Sequence, residues 1–166
     1  MRTCAAAMSI VFLSACTSGS VRTDPGQATY FGIFDEPVTL SDGRFEGAAF
    51  VSGGASRPMV RLLDAPGAAG DLNGDGVAEQ VVVLAASSGG SGTFVYLAVL
   101  ERSSAAIVNL ATEYIGDRVR VTALQIESGI LSAQLLAHGP GDPSCCPSEQ
   151  IVRNWRLVDG GLVEFD

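Results

Sequence analysis

From about residue 30 onward, apolar and polar positions alternate with a period near two, which is the pattern of β-strands and not of amphipathic helices. Residues 79–85 (EQVVVLA) and 93–101 (TFVYLAVLE) are rich in β-branched and aromatic side chains, and 87–92 (SSGGSG) reads as the loop that joins them. Residues 117–126 open with Arg118, Val119, Arg120 and Val121 in alternation, as expected of a strand with one wet face. After the turn Glu127-Ser128-Gly129 comes a further strand at 130–137. In 150–158, Ile151, Arg153, Trp155 and Leu157 share one face, a mixed face that suits a sheet edge. Asp159-Gly160-Gly161 then predicts a hairpin turn into 162–165. Only residues 105–114 fit helix and strand equally well. The pattern predicts an all-β fold, mainly antiparallel, closed as a small barrel or folded as a sandwich.

The chain of 166 residues suffices for one domain. No linker, charge block or repeat divides it after residue 30, so residues 30–166 are expected to form a single β-rich domain. With 47% hydrophobic and 17% charged residues, a packed core is expected and global disorder is not. The formal charge is −8 and no basic run exists to neutralise phosphates, which argues against nucleic acid as a partner.

Residues 1–15 have the parts of a secretory signal: Arg2, an apolar stretch over 5–13, and small residues before a cut. The apolar stretch is too short for a bilayer span, which needs about 20 residues. Leu13-Ser14-Ala15-Cys16 resembles the lipobox of bacterial lipoproteins. That resemblance implies cleavage before Cys16, acylation of its thiol, and the membrane as a partner through the lipid. Residues 16–29, rich in Ser, Thr and Gly, read as the lipidated Cys and a flexible tether. Thr17 stands where, by resemblance to Gram-negative sorting rules, an Asp would favour the inner membrane, so the expected location is the outer membrane, facing the periplasm.

Residues 70–79 (GDLNGDGVAE) carry the most specific motif. Oxygen ligands at alternate positions Asp71, Asn73 and Asp75, with Gly76 allowing a sharp turn, are what a Ca²⁺ loop needs. An EF-hand would next want an acid at loop position 12, which here is the apolar Val82. Glu79 followed directly by a strand resembles instead the FG-GAP loops of integrin-type propellers. That resemblance implies Asp71, Asn73, Asp75, Glu79 and the Val77 carbonyl as ligands of a structural Ca²⁺. Glu79 departs from the Asp usual at its place, and a single copy excludes a propeller. The plainer reading is an Asp/Asn/Gly turn that merely joins two strands.

Cys145 and Cys146 are adjacent within GPGDPSCCP. Neighbouring Cα atoms stand about 3.8 Å apart, below the usual disulfide range of roughly 4.4–6.8 Å. A bond between them is thus constrained, though an oxidising periplasm permits it. The expectation is a vicinal disulfide that stiffens a Pro-rich turn; two free thiols or an intermolecular bridge are the alternatives. A redox pair would want the C-x-x-C spacing. His138, the only histidine, raises a rival from another class, a hydrolase or thiol enzyme using Cys145 or Cys146 with His138. A lone His at a strand end is more often structural. The Gly-rich loops with Ser56, Ser88 and Ser91 lack the strand–turn–helix context of a nucleophile elbow.

Three segments taken together, 37–54 (PVTLSDGRFEGAAFVSGG), 70–100 and 115–147 with GDRVRV and HGPGDPSCCP, resemble an uncharacterised bacterial lipoprotein domain family sometimes joined to a META domain. The resemblance implies an envelope location and brings no activity. The expected function is a non-enzymatic, lipid-anchored binding or accessory module, whose partner is an envelope protein or a small ligand.

Overall fold

A computed structural model describes residues 24–103 and 106–166; the leader and Cys16 lie outside the described residues. Among the described residues, Gly26 and Ala28 are already buried, inside the segment expected to be tether. The Asp24 carboxylate accepts the Gly26 N–H at 2.8 Å and caps a short 3-10 turn, Pro25–Gln27. The fully buried Tyr30 donates its hydroxyl to the Pro25 carbonyl at 2.8 Å and so holds this turn against the core.

The remaining elements are all strands, as the periodicity predicts, and every pairing is antiparallel. A short ribbon joins β1 (Thr29–Tyr30) to β2 (Val38–Thr39). The central sheet contains β3 (Arg44–Glu46), β4 (Met59–Leu62), β5 (Ala68–Gly70), β6 (Glu79–Ser87), β7 (Phe94–Arg102) and β8 (Ile107–Asp117). Its order is β3-β4-β6-β7-β8, with β5 paired to the first residues of β6 on the same edge as β4. A second sheet runs in the order β12-β11-β10-β9, from β9 (Arg120–Glu127), β10 (Ile130–Ala137), β11 (Glu149–Val158) and β12 (Gly161–Phe165).

The middle of the central sheet is buried on both faces, which explains why 81–86 and 95–100 are continuous apolar runs. Val81, Val83, Val95, Leu97 and Val99 pack towards the second sheet, around Leu131, Leu135 and Trp155. Val82, Leu84, Ala86, Ala98 and Leu100 point the other way, onto Tyr30, Val38, Leu40 and Val60. The molecule therefore has three layers, with the N-terminal ribbon as the third. At the two margins the sheets approach without a hydrogen-bonded ladder, β5 beside β9 and β8 beside β12, so the pair is a sandwich nearly closed into a flat barrel.

Two local features that depart from simple alternation bear on the sequence reading. In β8 the register slips, with Val99 opposite Ala111 but Leu100 opposite Asn109, leaving Leu110 as a bulge. The buried Asn109 amide fills it, donating to the Val99 and Ala111 carbonyls at 3.1 and 2.8 Å. Its Oδ1 accepts the Phe31 N–H at 3.0 Å, which ties the N-terminal layer to β8. This bulge breaks the period and makes 105–114 ambiguous in sequence. Arg118 lies in a turn at φ 54°, its N–H bonded to the Thr93 carbonyl at 2.7 Å, so β9 begins at Arg120 and not at 117.

β11 is not an edge strand: β10 and β12 flank it on either side. Its mixed face is satisfied internally. Arg153 lies 5.1 Å over the Trp155 ring, pairs with Glu164 of β12, and donates to the Ile115 carbonyl of β8 at 3.0 Å. The hairpin turns at Ser128-Gly129 and Asp159-Gly160 have both central residues left-handed (φ 52° and 74°, 50° and 76°), the twist that two-residue β-hairpins favour.

Candidate metal centre

The Asp71–Glu79 loop joins β5 to β6, and the pairing Gly70↔Glu79 closes its base. Its short polar side chains fold it upon itself. Asp71 accepts the Gly74 and Gly76 N–H groups at 2.6 and 3.0 Å, one on each carboxylate oxygen. Asn73 Oδ1 accepts the Asp75 N–H at 2.8 Å, and its amide donates to Asp75 Oδ2 at 3.0 Å. Asp75 Oδ1 accepts the Val77 N–H at 2.7 Å. Gly74 and Gly76 take φ 83° and 86°, backbone that side chains other than glycine's rarely allow. Turn-making therefore accounts for Asp71 and Asn73 without any ligand.

It does not account for Glu79. This side chain is 0% exposed, at the core end of β6, where a carboxylate is costly unless its oxygens are bonded or paired. Oε2 accepts the N–H of Leu72, which plugs the core beneath the loop, at 2.7 Å. Oε1 is buried with no hydrogen-bond partner.

Across the ladder, Glu79 stands directly opposite Glu101 of β7. Carboxylate oxygens of Asp75, Glu79 and Glu101 all lie within 4.8 Å of one another. Like charges directly opposite destabilise a sheet, and at about 4 Å each ionised pair would repel by about 4 kcal/mol in the effective dielectric of a protein surface. Among the described residues no salt bridge reaches any of the three. A divalent cation fits this need. Oxygens bound to one Ca²⁺ at roughly 2.4 Å can stand up to about 4.8 Å apart, so the three carboxylates are near enough to share a single ion.

The structure thus brings together Asp75 and Glu79 from the expected set and adds Glu101, which the sequence reading missed. Asp71 is outside the triad, with both oxygens engaged by backbone N–H groups. Glu101 had a signal, the register of the hairpin. A strand pair folded about Gly90 matches residues whose numbers sum to 180, as in Ala86↔Phe94 and Glu79↔Glu101.

Cys145 and Cys146 are exposed and their sulfurs are joined to each other. Asp142, unremarked in the sequence, closes the loop around them. Its carboxylate accepts the Gly139 N–H at 2.9 Å, the Ser148 N–H at 2.8 Å and the Ser148 hydroxyl at 2.8 Å. Those donors, Gly139 first, hold the Asp142 carboxyl below the usual aspartate value. His138 Nε2 is buried without a hydrogen-bond partner, so that nitrogen bonds neither sulfur. Elsewhere, an apolar groove of about 620 Å³ opens between Ile33, Phe34, Val38, Phe45, Phe50 and Pro58.

Fold and loop together define an all-β domain with an acidic cluster at the mouth of a strand pair. No family model matches the chain, and no curated protein or solved structure matches it.

Proposed function

We propose that the chain is a lipid-anchored protein of the bacterial envelope, held through Cys16 in the outer membrane and facing the periplasm. Its β domain serves as a non-enzymatic binding or accessory module with a structural Ca²⁺ in the 71–79 loop. The observation that carries the cation reading is the buried, unpartnered Oε1 of Glu79. The lipobox-like residues 13–16 support the anchor, and the bonded Cys145–Cys146 pair accords with an oxidising compartment. The groove beside Phe34, Phe45 and Phe50 offers an apolar ligand or an envelope protein a place to bind. A thiol enzyme would need a free sulfur beside His138, and nothing in the site favours that reading.

The test compares melting of the purified protein in millimolar Ca²⁺ with melting in excess chelator. A cation bound only by the folded state adds about 2.7 kcal/mol at one hundred times its dissociation constant, which for one domain is a shift of several degrees. Asp75→Ala should abolish the response. A wild-type transition that ignores chelator would reduce the loop to a turn.

A further inference from the structure

We propose that the cation is gripped between two strands and not by the loop alone, with Glu101 of β7 as a ligand and Asp71 as a positioning residue. The inference rests on reading 71–79 as a cation loop and assigns its ligand set. Asp75 comes from the loop, Glu79 opens β6, and Glu101 closes the set from the penultimate position of β7. The register makes this grouping a property of the sheet. Because Glu79 and Glu101 are directly paired, their side chains leave the same face of the hairpin, the face that Val81, Val83, Leu97 and Val99 present to the second sheet. The loop returns over that face, with Leu72 buried in the same cluster.

Two independent observations converge on a ligand. One is the mutual approach of three carboxylates with no basic partner among the described residues. The other is Glu79 Oε1, fully buried and left without a donor while its twin oxygen is bonded to Leu72. Protein hydrogen bonds already engage both oxygens of Asp71, and those bonds fix the turn that carries Asp75. The chemistry is a hard-oxygen site of high negative charge, the kind that Ca²⁺ takes.

Three proteins are compared by calorimetric titration with CaCl₂ alone and by melting in chelator: wild type, Glu101→Gln and Asp71→Asn. Each is purified in detergent as the cell makes it. Glu101→Gln should weaken Ca²⁺ binding by at least about tenfold, since charge count sets affinity in such sites. In chelator it should melt no lower than wild type, because one of two opposed charges is gone. Asp71→Asn, which keeps one acceptor oxygen, should melt lower in chelator as well as in Ca²⁺ while its affinity stays within about threefold of wild type, since the carboxylate acts through the loop fold. If Glu101→Gln does not fold, amide resonances of the wild type decide: Ca²⁺ should shift Leu100, Glu101 and Arg102 together with residues 71–79. A wild type that binds no Ca²⁺ sinks both this inference and the reading beneath it. Wild-type binding that survives in Glu101→Gln, shifts confined to the loop, or an Asp71→Asn loss equal to that of Glu101→Gln overturns the interstrand site and leaves the loop reading standing.

Discussion

Two carboxylates in this molecule are treated in opposite ways. Asp142 is surrounded by donors, with the Gly139 N–H and both the N–H and hydroxyl of Ser148 pointing at it. Glu79 is buried with one oxygen answered and the other not. For Asp142 the sign is simple. Its folded pKa lies below the unfolded one, so the loop closure is intact above the unfolded value and fails only as pH falls through the lower folded value. In an acid titration the Gly139 and Ser148 amide resonances should therefore inflect at a lower pH than an unperturbed aspartate; inflection at the ordinary value would show that the three bonds are not held in solution. The role of Asp142 was not legible in the sequence, and of Glu79 the sequence offered a place among the ligands but not its burial or its half-answered carboxylate. Asx and Glu residues in Gly-rich stretches look alike until the partners arrive, and those of Glu79 come partly from a strand twenty-two residues away (101 − 79).

At the scale of elements, β6, β7 and β9 to β12 followed from β-branched, period-two runs, and their hairpins from Ser-Gly and Asp-Gly pairs, whereas the two- to four-residue strands β1 to β5 are too short to show a period and went unread. What the runs did not disclose was layering. Residues 79–85 and 93–101 were read as antiparallel strands, yet the unbroken apolar runs at 81–86 and 95–100 are the mark of burial on both faces. The edge assignment for 150–158 failed for a related reason. Arg153 marks a position whose charge is met by Glu164 and whose guanidinium lies over the Trp155 ring, and that is compatible with the middle of a sheet. Burial on both faces is testable. Leu84 and Leu97 sit on adjacent strands and face opposite layers, both 0% exposed. Each truncation to Ala should cost about 2–5 kcal/mol in urea unfolding. If Leu84→Ala fell within about 0.5 kcal/mol of wild type, as surface changes do, the N-terminal layer would not be packed in solution.

For the whole molecule, the choice between barrel and sandwich was open in the sequence because it depends on margins where no ladder forms. At one margin, a Cβ on Gly70 would come within 2.8 Å of the Ile126 side chain, so glycine is what lets β5 and β9 draw so close. At the other, the Arg153 fork bonds Glu164 and the Ile115 carbonyl and spans β11, β12 and β8. The proposed anchor belongs to this scale too. Cys16→Ala should move the protein from the membrane to the soluble envelope fraction and abolish labelling by a fatty-acid analogue. Unchanged labelling would refute lipidation at that residue.

On the proposal that Cys16 carries the lipid, covalent length alone sets a limit. From Cys16 to Asp24, the first described residue, there are eight peptide steps (24 − 16), each reaching at most about 3.6 Å, so Asp24 would stand no further than about 30 Å from that lipid. A domain held so closely would patrol the skin of one bilayer. Whatever it met would have to come to that surface, and its encounters would be governed by how crowded the surface is, not by how much of the protein the compartment holds.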